Sequence, residues 1–172
     1  YAKKVDGKIV LRIEDTDRTR KVNNAVENLI STFESLKIQY DEGPVKGGDC
    51  GPYYQSERLS IYNEHIKRLL ENKTAYPCFC SAERLEEFRI KQAESKQTIK
   101  YDRHCLKLDP YKAKNKMKTD SHVIRMKIPE QKEVVFYDVV RERVVIHCEE
   151  IDDQVLIKSD GYPTYHFANV VD

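Results

Sequence analysis

The chain has 172 residues, of which 40% are hydrophobic and 34% are charged, and its formal net charge is +1. This length and apolar content suffice for a folded core, so a wholly disordered chain is excluded. No apolar run reaches the length of a membrane span, and the weak overall charge restricts contact with nucleic acid to local basic clusters such as Arg18, Arg20 and Lys21. The five cysteines lack the dense spacing of a secreted disulfide scaffold, which favours a reducing compartment.

The most densely charged stretch follows a predicted strand near the start of the sequence. Alternating apolar side chains predict that strand over residues 9–13, and Glu14, Asp15 and Asp17 come directly after it. Three carboxylates so close together repel one another unless ligands, arginines or helix-terminal N–H groups compensate them. The stretch is therefore either a ligand-binding edge or a charged connection in which Thr16 or Asp17 caps the next helix.

The remaining elements follow from the spacing of apolar residues and from the position of helix and chain breakers. A helix is predicted over residues 23–36, and an irregular loop rich in glycine and proline follows it. A second helix is expected to be capped by Ser56 and to end near Asn72, and Ser81 is expected to begin a short charged helix. Runs of β-branched residues predict a small antiparallel sheet from strands at residues 123–128, 134–140, 143–147 and 154–158.

Three cysteines form a candidate metal site. Cys78 and Cys80 are separated by one residue, and Cys105 follows a charged helix, so three thiolates are available for a tetrahedral ion. A fourth ligand is not evident from the spacing, although His122 and His147 are candidates. The alternative is that the cysteines are small buried hydrophobic residues without a metal.

The last residues of the sequence contain a second candidate binding group. Tyr165 and Asn169 are four residues apart, which places both on one face of a helix and directs them into one pocket. His166 lies between them and is either part of that pocket or a structural residue.

Several colinear motifs give the whole chain a resemblance to glutamyl-tRNA synthetases of the bacterial and organellar type. The motifs are residues 11–18 (LRIEDTDR), 40–44 (YDEGP), 51–58 (GPYYQSER), 76–81 (YPCFCS), 101–105 (YDRHC) and 158–172 (KSDGYPTYHFANVVD).

The resemblance implies an α/β fold. It would be part of a Rossmann-like class I synthetase catalytic domain with an inserted α+β domain that binds the tRNA acceptor stem. The expected boundaries are residues 1–54 for the first part of the catalytic domain, 55–160 for the insertion and 161–172 for the return into the catalytic domain.

The activity implied is that of a glutamate–tRNA ligase, in which L-glutamate and ATP with Mg²⁺ form glutamyl-adenylate and the acyl group passes to tRNA(Glu). By this resemblance Glu14 binds the ammonium of glutamate, and Tyr165 and Asn169 help to enclose the amino acid. Arg12 is expected to support Glu14. No covalent nucleophile is needed, so no residue is assigned as catalytic. The expected protein is a monomer without a membrane contact, and its residues that meet the tRNA 3′ end are Thr16, Asp17 and Arg20.

The same resemblance carries two departures. Zinc-containing members have a histidine two positions after the third cysteine, where this chain has Lys107. The family's ATP-binding His-x-Gly-His helix and its Lys-Met-Ser-Lys-Ser-like loop do not occur in the sequence, so the 172 residues alone are expected to be inactive. The chain reads as a piece of a longer protein.

Two other functions stay open at this point. One is the related enzyme that glutamylates a modified base of tRNA(Asp), although its interval between the second and third cysteines is shorter than the one here. The other is a noncatalytic RNA- or partner-binding module on a synthetase scaffold. The composition, rich in Lys, Asn and Tyr, suggests the mitochondrial matrix, with a bacterial cytoplasm as the alternative.

Overall fold

The structure is a computed structural model, and it describes residues 1–17, 23–130 and 132–172. The chain forms two compact units. The first, unit 1, comprises Tyr1–Glu64 and Tyr165–Asp172, and the second, unit 2, comprises His65–Thr164. Unit 1 is thus built from two separate parts of the sequence.

In unit 1 the charged stretch follows an extended segment that is bonded on both sides. Val10 forms a parallel bridge with Glu42, and Ile13 forms one with Tyr54. The predicted strand over residues 9–13 therefore exists only as isolated bridges, because each neighbouring segment pairs with it at a single position. The extended conformation is still fixed by backbone bonds, among them Leu11 N–H to the Glu42 carbonyl at 2.8 Å.

Within the described residues, three α-helices lie wholly or partly in unit 1, and each lies where apolar residues recur at helical spacing. Helix α1 spans Ala25–Ser35, which confirms the first predicted helix. A 3₁₀ turn, Gln55–Arg58, leads into α2, Leu59–Glu71, whose last residues belong to unit 2. The last helix along the chain, numbered α5 in chain order, spans Tyr165–Val171 and packs against α2 through the rings of Phe167 and Tyr62 at 6.3 Å.

The predicted cap at Ser56 is wrong. Ser56 lies inside the 3₁₀ turn, which begins after Tyr54, and both its N–H and its hydroxyl donate to Asp15. Ser56 therefore lies three residues before the start of α2 and bonds to a carboxylate from another segment, so it does not occupy the cap position of that helix.

Unit 2 contains an antiparallel three-stranded sheet in the order β1-β2-β5, formed by Ala75–Cys78, Val123–Met126 and Val155–Ile157. Strands β3, Glu133–Asp138, and β4, Glu142–His147, pair only with each other as a hairpin within the described residues. The single predicted sheet is therefore two sheets. Strand β1 was not predicted, because Pro77 argues against a strand in sequence but is tolerated on the outer strand of a sheet.

Two helices complete unit 2. Helix α3, Ala82–Glu94, begins as predicted after Ser81, whose hydroxyl accepts the Arg84 N–H at 3.3 Å. Helix α4, Pro110–Lys116, is capped by the Asp109 carboxylate. No helix in the described part of the chain is long and apolar enough to cross a membrane.

A small core in unit 2 surrounds the candidate metal ligands. Its buried members are Tyr76, Cys78, Tyr101 and Cys105. Cys78 and Cys105 thus lie in the packed interior and Cys80 packs against it, whereas the strands of the hairpin remain largely exposed.

Candidate functional site

A buried carboxylate organises the polar side chains of unit 1. Asp172, whose side chain is 0% exposed, accepts a hydrogen bond from Arg58 Nε at 2.8 Å and forms an ion pair with Arg12, whose Nε lies 3.1 Å from Oδ2. Tyr62 Oη donates to it at 3.0 Å, and Gln55 Nε2 donates at 3.0 Å. We call these five residues the Asp172 network. Both oxygens of the carboxylate have polar partners, and two of these partners are cationic. These contacts offset the cost of burying a charged group.

The expected role of Arg12 is not the one observed. Arg12 forms an ion pair with Asp172 at 3.1 Å, whereas it was expected to support Glu14. The buried carboxylate of Asp172 needs cationic partners, and Arg12 supplies one of them. Arg12 therefore belongs to the buried network, and Glu14 is exposed.

Gln55 connects the two segments that carry the expected glutamate ligands. Its backbone N–H donates to the Ile13 carbonyl at 3.0 Å, next to Glu14 in the chain. Its side-chain Nε2 donates to Asn169 Oδ1 at 3.4 Å. The structure thus links the segment of Glu14 with helix α5 through one buried glutamine. Tyr165, one turn before Asn169, is 56% exposed, and its ring meets that of His166 edge-on.

The residues expected at the tRNA 3′ end have different environments. Thr16 is 7% exposed, and Asp17 is half-buried. Arg20 lies outside the described residues. Asp15 has a firm structural role, because its two carboxylate oxygens accept the N–H and the hydroxyl of Ser56 at 2.8 and 2.5 Å. This contact joins Asp15 to a residue 41 positions away in the sequence.

The three candidate metal ligands converge in unit 2. The sulfur atoms of Cys78, Cys80 and Cys105 lie within 4.8 Å of one another, and those of Cys80 and Cys105 are 3.5 Å apart. Tetrahedral zinc with Zn–S bonds of about 2.3 Å places its sulfur ligands about 3.8 Å apart, so the spacing fits such an ion. We call these residues, together with Tyr101, the cysteine cluster.

Tyr101 is the member of the cysteine cluster that ligand spacing alone did not identify. Its hydroxyl lies 3.2 Å from the sulfur of Cys78, 3.3 Å from that of Cys80 and 3.0 Å from the backbone N of Cys105. His122 and His147 were the histidine candidates for a fourth ligand, but the phenol oxygen is the group that the fold brings to the thiols. The sequence signal for this contact is the YDRHC motif, residues 101–105, in which Tyr101 precedes Cys105 by four positions.

Within the cysteine cluster, the pKa values of some groups are raised and that of another is lowered. Burial raises the pKa of the Cys80 thiol to about 11. Burial also acts to raise the pKa of Cys78, but hydrogen bonding to Tyr101 and to the Cys80 backbone, with the cationic Arg125 nearby, holds that pKa below its ordinary value. Burial and the bonds to all three cysteines raise the pKa of Tyr101. The thiol of Cys78 is therefore more acidic than that of Cys80.

Arginines flank the cysteine cluster. The Arg84 guanidinium pairs with Asp102 and also lies 3.4 Å from the Cys80 sulfur. The Arg125 guanidinium stacks on the Tyr101 ring at 4.2 Å from its centre. Cationic neighbours stabilise thiolates, which are the form that binds soft metal ions.

The fold is that of a class I aminoacyl-tRNA synthetase catalytic domain. The chain belongs to the family described as tRNA synthetases class I (E and Q), catalytic domain, which it matches over residues 1–172. This confirms the predicted family and the predicted class I synthetase catalytic fold, while the inserted acceptor-stem-binding domain stays a prediction.

Individual relatives indicate which members of the family the chain resembles. The chain is 47% identical to a protein named glutamate–tRNA ligase from Alkaliphilus metalliredigens, covering 100% of this chain and 36% of that protein. It is 45% identical to the protein of the same name from Ectopseudomonas mendocina, covering 100% of this chain and 35% of that protein. Among solved structures, a glutamate tRNA ligase from Elizabethkingia meningosepticum in complex with its amino acid matches with a TM-score of 0.88 and 32% identity, over 97% of this chain and 35% of that one. The chain thus spans about a third of these proteins.

Proposed function

We propose that the full-length protein containing this chain is a glutamate–tRNA ligase. It activates L-glutamate with ATP and Mg²⁺ to glutamyl-adenylate and transfers the acyl group to tRNA(Glu). The observation that carries this proposal is the close structural match to a glutamate tRNA ligase in complex with its amino acid. The names of the bacterial relatives support it.

Glutamate binding is assigned to Glu14, Tyr165 and Asn169. Glu14 is exposed at the end of an extended segment whose backbone is bonded to Gln55, so a carboxylate is held at a defined place for the substrate ammonium. Asn169 contacts the same glutamine, which supports a common site for both residues. Tyr165 is exposed and available to cover the amino acid.

The tRNA is assigned to two parts of the chain. Thr16, Asp17 and Arg20 follow Glu14 directly and are proposed to meet the 3′ end, where ribose hydroxyls and phosphates are suitable partners for such side chains. The insertion expected over residues 55–160 is proposed to bind the acceptor stem. In support, residues 65–164 form a compact unit of their own. We propose a monomer.

Adenylate formation needs positioning and charge stabilisation rather than a covalent nucleophile. The contribution of this chain is to bind and orient the amino acid and the RNA end.

The test is glutamate-dependent exchange of pyrophosphate into ATP in the presence of tRNA(Glu), measured on the full-length protein. We expect exchange with glutamate and none with aspartate. The isolated 172-residue chain is expected to give none. Glu14→Gln in the full-length protein should weaken the use of glutamate far more than that of ATP. Exchange that does not depend on glutamate would contradict the proposed activity.

Zinc at the cysteine cluster is a separate proposal. Cys78, Cys80 and Cys105 would hold the ion, and the hydroxyl of Tyr101 is the nearest additional donor. When bound, zinc would cross-link β1 to the turn that carries Cys105. The zinc content of purified protein, measured by elemental analysis, should be close to one ion per chain and should fall in Cys105→Ser.

The compartment is also proposed from the relatives. The named relatives are bacterial proteins and lend no support to the mitochondrial location suggested by composition. We propose the alternative, a bacterial cytoplasm.

A further inference from the structure

The orientation of one side-chain amide in unit 1 is dictated by its surroundings. Gln55 is fully buried, and one end of its amide lies 3.0 Å from Asp172 Oδ2. An ionised carboxylate only accepts hydrogen bonds, so that end of the amide must be the NH₂ group. The opposite orientation would place two acceptor oxygens against each other in the protein interior.

The cost of this orientation is visible in the structure. Within the described residues, Gln55 Oε1 is one of two buried side-chain polar atoms without a hydrogen-bond partner. A buried acceptor left without a donor is unfavourable. The Asp172 carboxylate therefore fixes the orientation of the Gln55 amide even though this leaves Gln55 Oε1 without a hydrogen bond.

The same NH₂ group then decides the orientation of a second amide. Gln55 Nε2 faces the Asn169 side chain at 3.4 Å, and only the oxygen of Asn169 can accept from it. The Asn169 nitrogen is therefore turned away from Gln55. Asn169 is half-buried, so this nitrogen can reach a bound ligand.

We propose that Gln55 is a positioning residue: Asp172 fixes the orientation of the Gln55 amide, and Gln55 in turn fixes the orientation of the Asn169 amide. Asn169 therefore presents N–H donors, and not its oxygen, to the substrate. The inference rests on the proposed function, since it assigns the substrate group that Asn169 meets. That group must accept hydrogen bonds, and the carboxylates of glutamate do so. Contact with the substrate ammonium is left to Glu14.

The test uses steady-state pyrophosphate exchange by the full-length protein with tRNA(Glu). Gln55→Met keeps the side-chain volume but removes the donor. We expect the KM for glutamate to rise about fivefold or more, the KM for ATP to stay within about twofold, and kcat to change little, since a lost neutral hydrogen bond has about this effect. The matched control is Tyr62→Phe, which removes another donor to Asp172 but leaves the amide orientation intact.

A second pair of variants tests the orientation itself. Asn169→Asp places an acceptor where the substrate carboxylate is expected, whereas Asn169→Ala only removes the amide. The KM for glutamate should therefore rise more in Asn169→Asp than in Asn169→Ala. In the Asn169→Ala background, Gln55→Met should add little, because the two residues act as one unit.

The outcomes separate the two proposals. A wild-type protein without glutamate-dependent exchange overturns the proposed function. If the wild type is active, the inference is overturned when Gln55→Met and Tyr62→Phe have the same effect, or when Asn169→Asp binds glutamate as well as Asn169→Ala does. If Gln55→Met does not fold, the two Asn169 variants decide, because their side chain is only half-buried.

Discussion

Both units contain a group of buried polar side chains, but the two groups are satisfied in different ways. In the Asp172 network a carboxylate is enclosed by guanidinium, phenol and amide donors of the same unit. In the cysteine cluster the sulfur atoms and the phenol mainly face one another. In the first arrangement the chain's own arginines neutralise the buried carboxylate, whereas the second has the donor set of a metal site.

The acidities reflect the same difference. In the network, burial and the bond to Asp172 raise the pKa of Tyr62 to about 12, so the phenol stays a donor throughout the ordinary pH range. In the cluster, the pKa values of neighbouring thiols move in opposite directions. A network that holds one protonation state is suited to a fixed scaffold, and a group of competing donors is suited to binding a cation.

The largest expected effect comes from removing the carboxylate of the network. Asp172→Ala leaves the nearly buried Arg58 and the partly exposed Arg12 without their anion. We expect a loss of about 3–5 kcal/mol in the free energy of unfolding, as for other broken buried ion pairs. The measurement is urea unfolding followed by circular dichroism. Asp120→Asn, which breaks the exposed pair with Lys116, should cost less than about 1 kcal/mol, and equal losses would contradict the comparison.

The next effect tests the cysteine cluster. A ligand that binds only the folded state at a hundredfold excess over its Kd stabilises it by about 2.7 kcal/mol. Added Zn²⁺ should therefore raise the thermal midpoint of metal-free protein, and Cys105→Ser should abolish the rise. Cys50→Ser, at an exposed cysteine outside the cluster, should retain it. A midpoint that does not respond to zinc would leave the cluster as a packed group of thiols.

Local features of both units were predictable from sequence. Helix α1 and the start of α3 follow from apolar spacing and from the Ser81 cap, both of which act within a few residues. The convergence of Cys78, Cys80 and Cys105 agrees with one of the two alternatives that the sequence left open, a site of three thiolates.

What was missed depends on partners far apart in the chain. The extended segment before Glu14 obtains its bonds from residues 42, 53 and 55, and Asp172 meets Gln55 from a position 117 residues away. No periodicity in the sequence reports such contacts. Arg12 was placed beside Glu14 for this reason, since its actual partner, Asp172, gave no local signal.

A smaller loss of stability is expected from the contact between Asp15, in the charged stretch after residue 13, and Ser56, in the 3₁₀ turn. Ser56→Ala removes the hydroxyl that donates to Asp15 at 2.5 Å and leaves the backbone bond in place. Hydrogen bonds to charged groups contribute about 1.5–3 kcal/mol, and partial exposure places this one at the lower end. Urea unfolding should show a loss of about 1.5 kcal/mol. The control is Ser35→Ala, which removes an exposed hydrogen bond within α1 and should change stability by less than about 0.5 kcal/mol. A similar loss in both variants would contradict the structural role of Asp15.

The smallest expected effect concerns pH and a second carboxylate of unit 1. Glu42 accepts the Cys50 N–H and the Tyr53 hydroxyl, each at 2.9 Å, and these bonds lower its pKa from the ordinary 4.5. A carboxyl with a depressed pKa in the folded state stabilises the protein fully above its unfolded pKa, and this contribution is lost as pH falls through the folded pKa. The stability of the wild type should therefore decline more steeply below about pH 4.5 than that of Glu42→Gln, in urea unfolding at a series of pH values. Glu34→Gln, at an exposed position of α1, controls for the loss of one negative charge and should keep the wild-type slope. Parallel curves for wild type and Glu42→Gln would mean that this carboxylate, unlike Asp172, gains nothing from its donors.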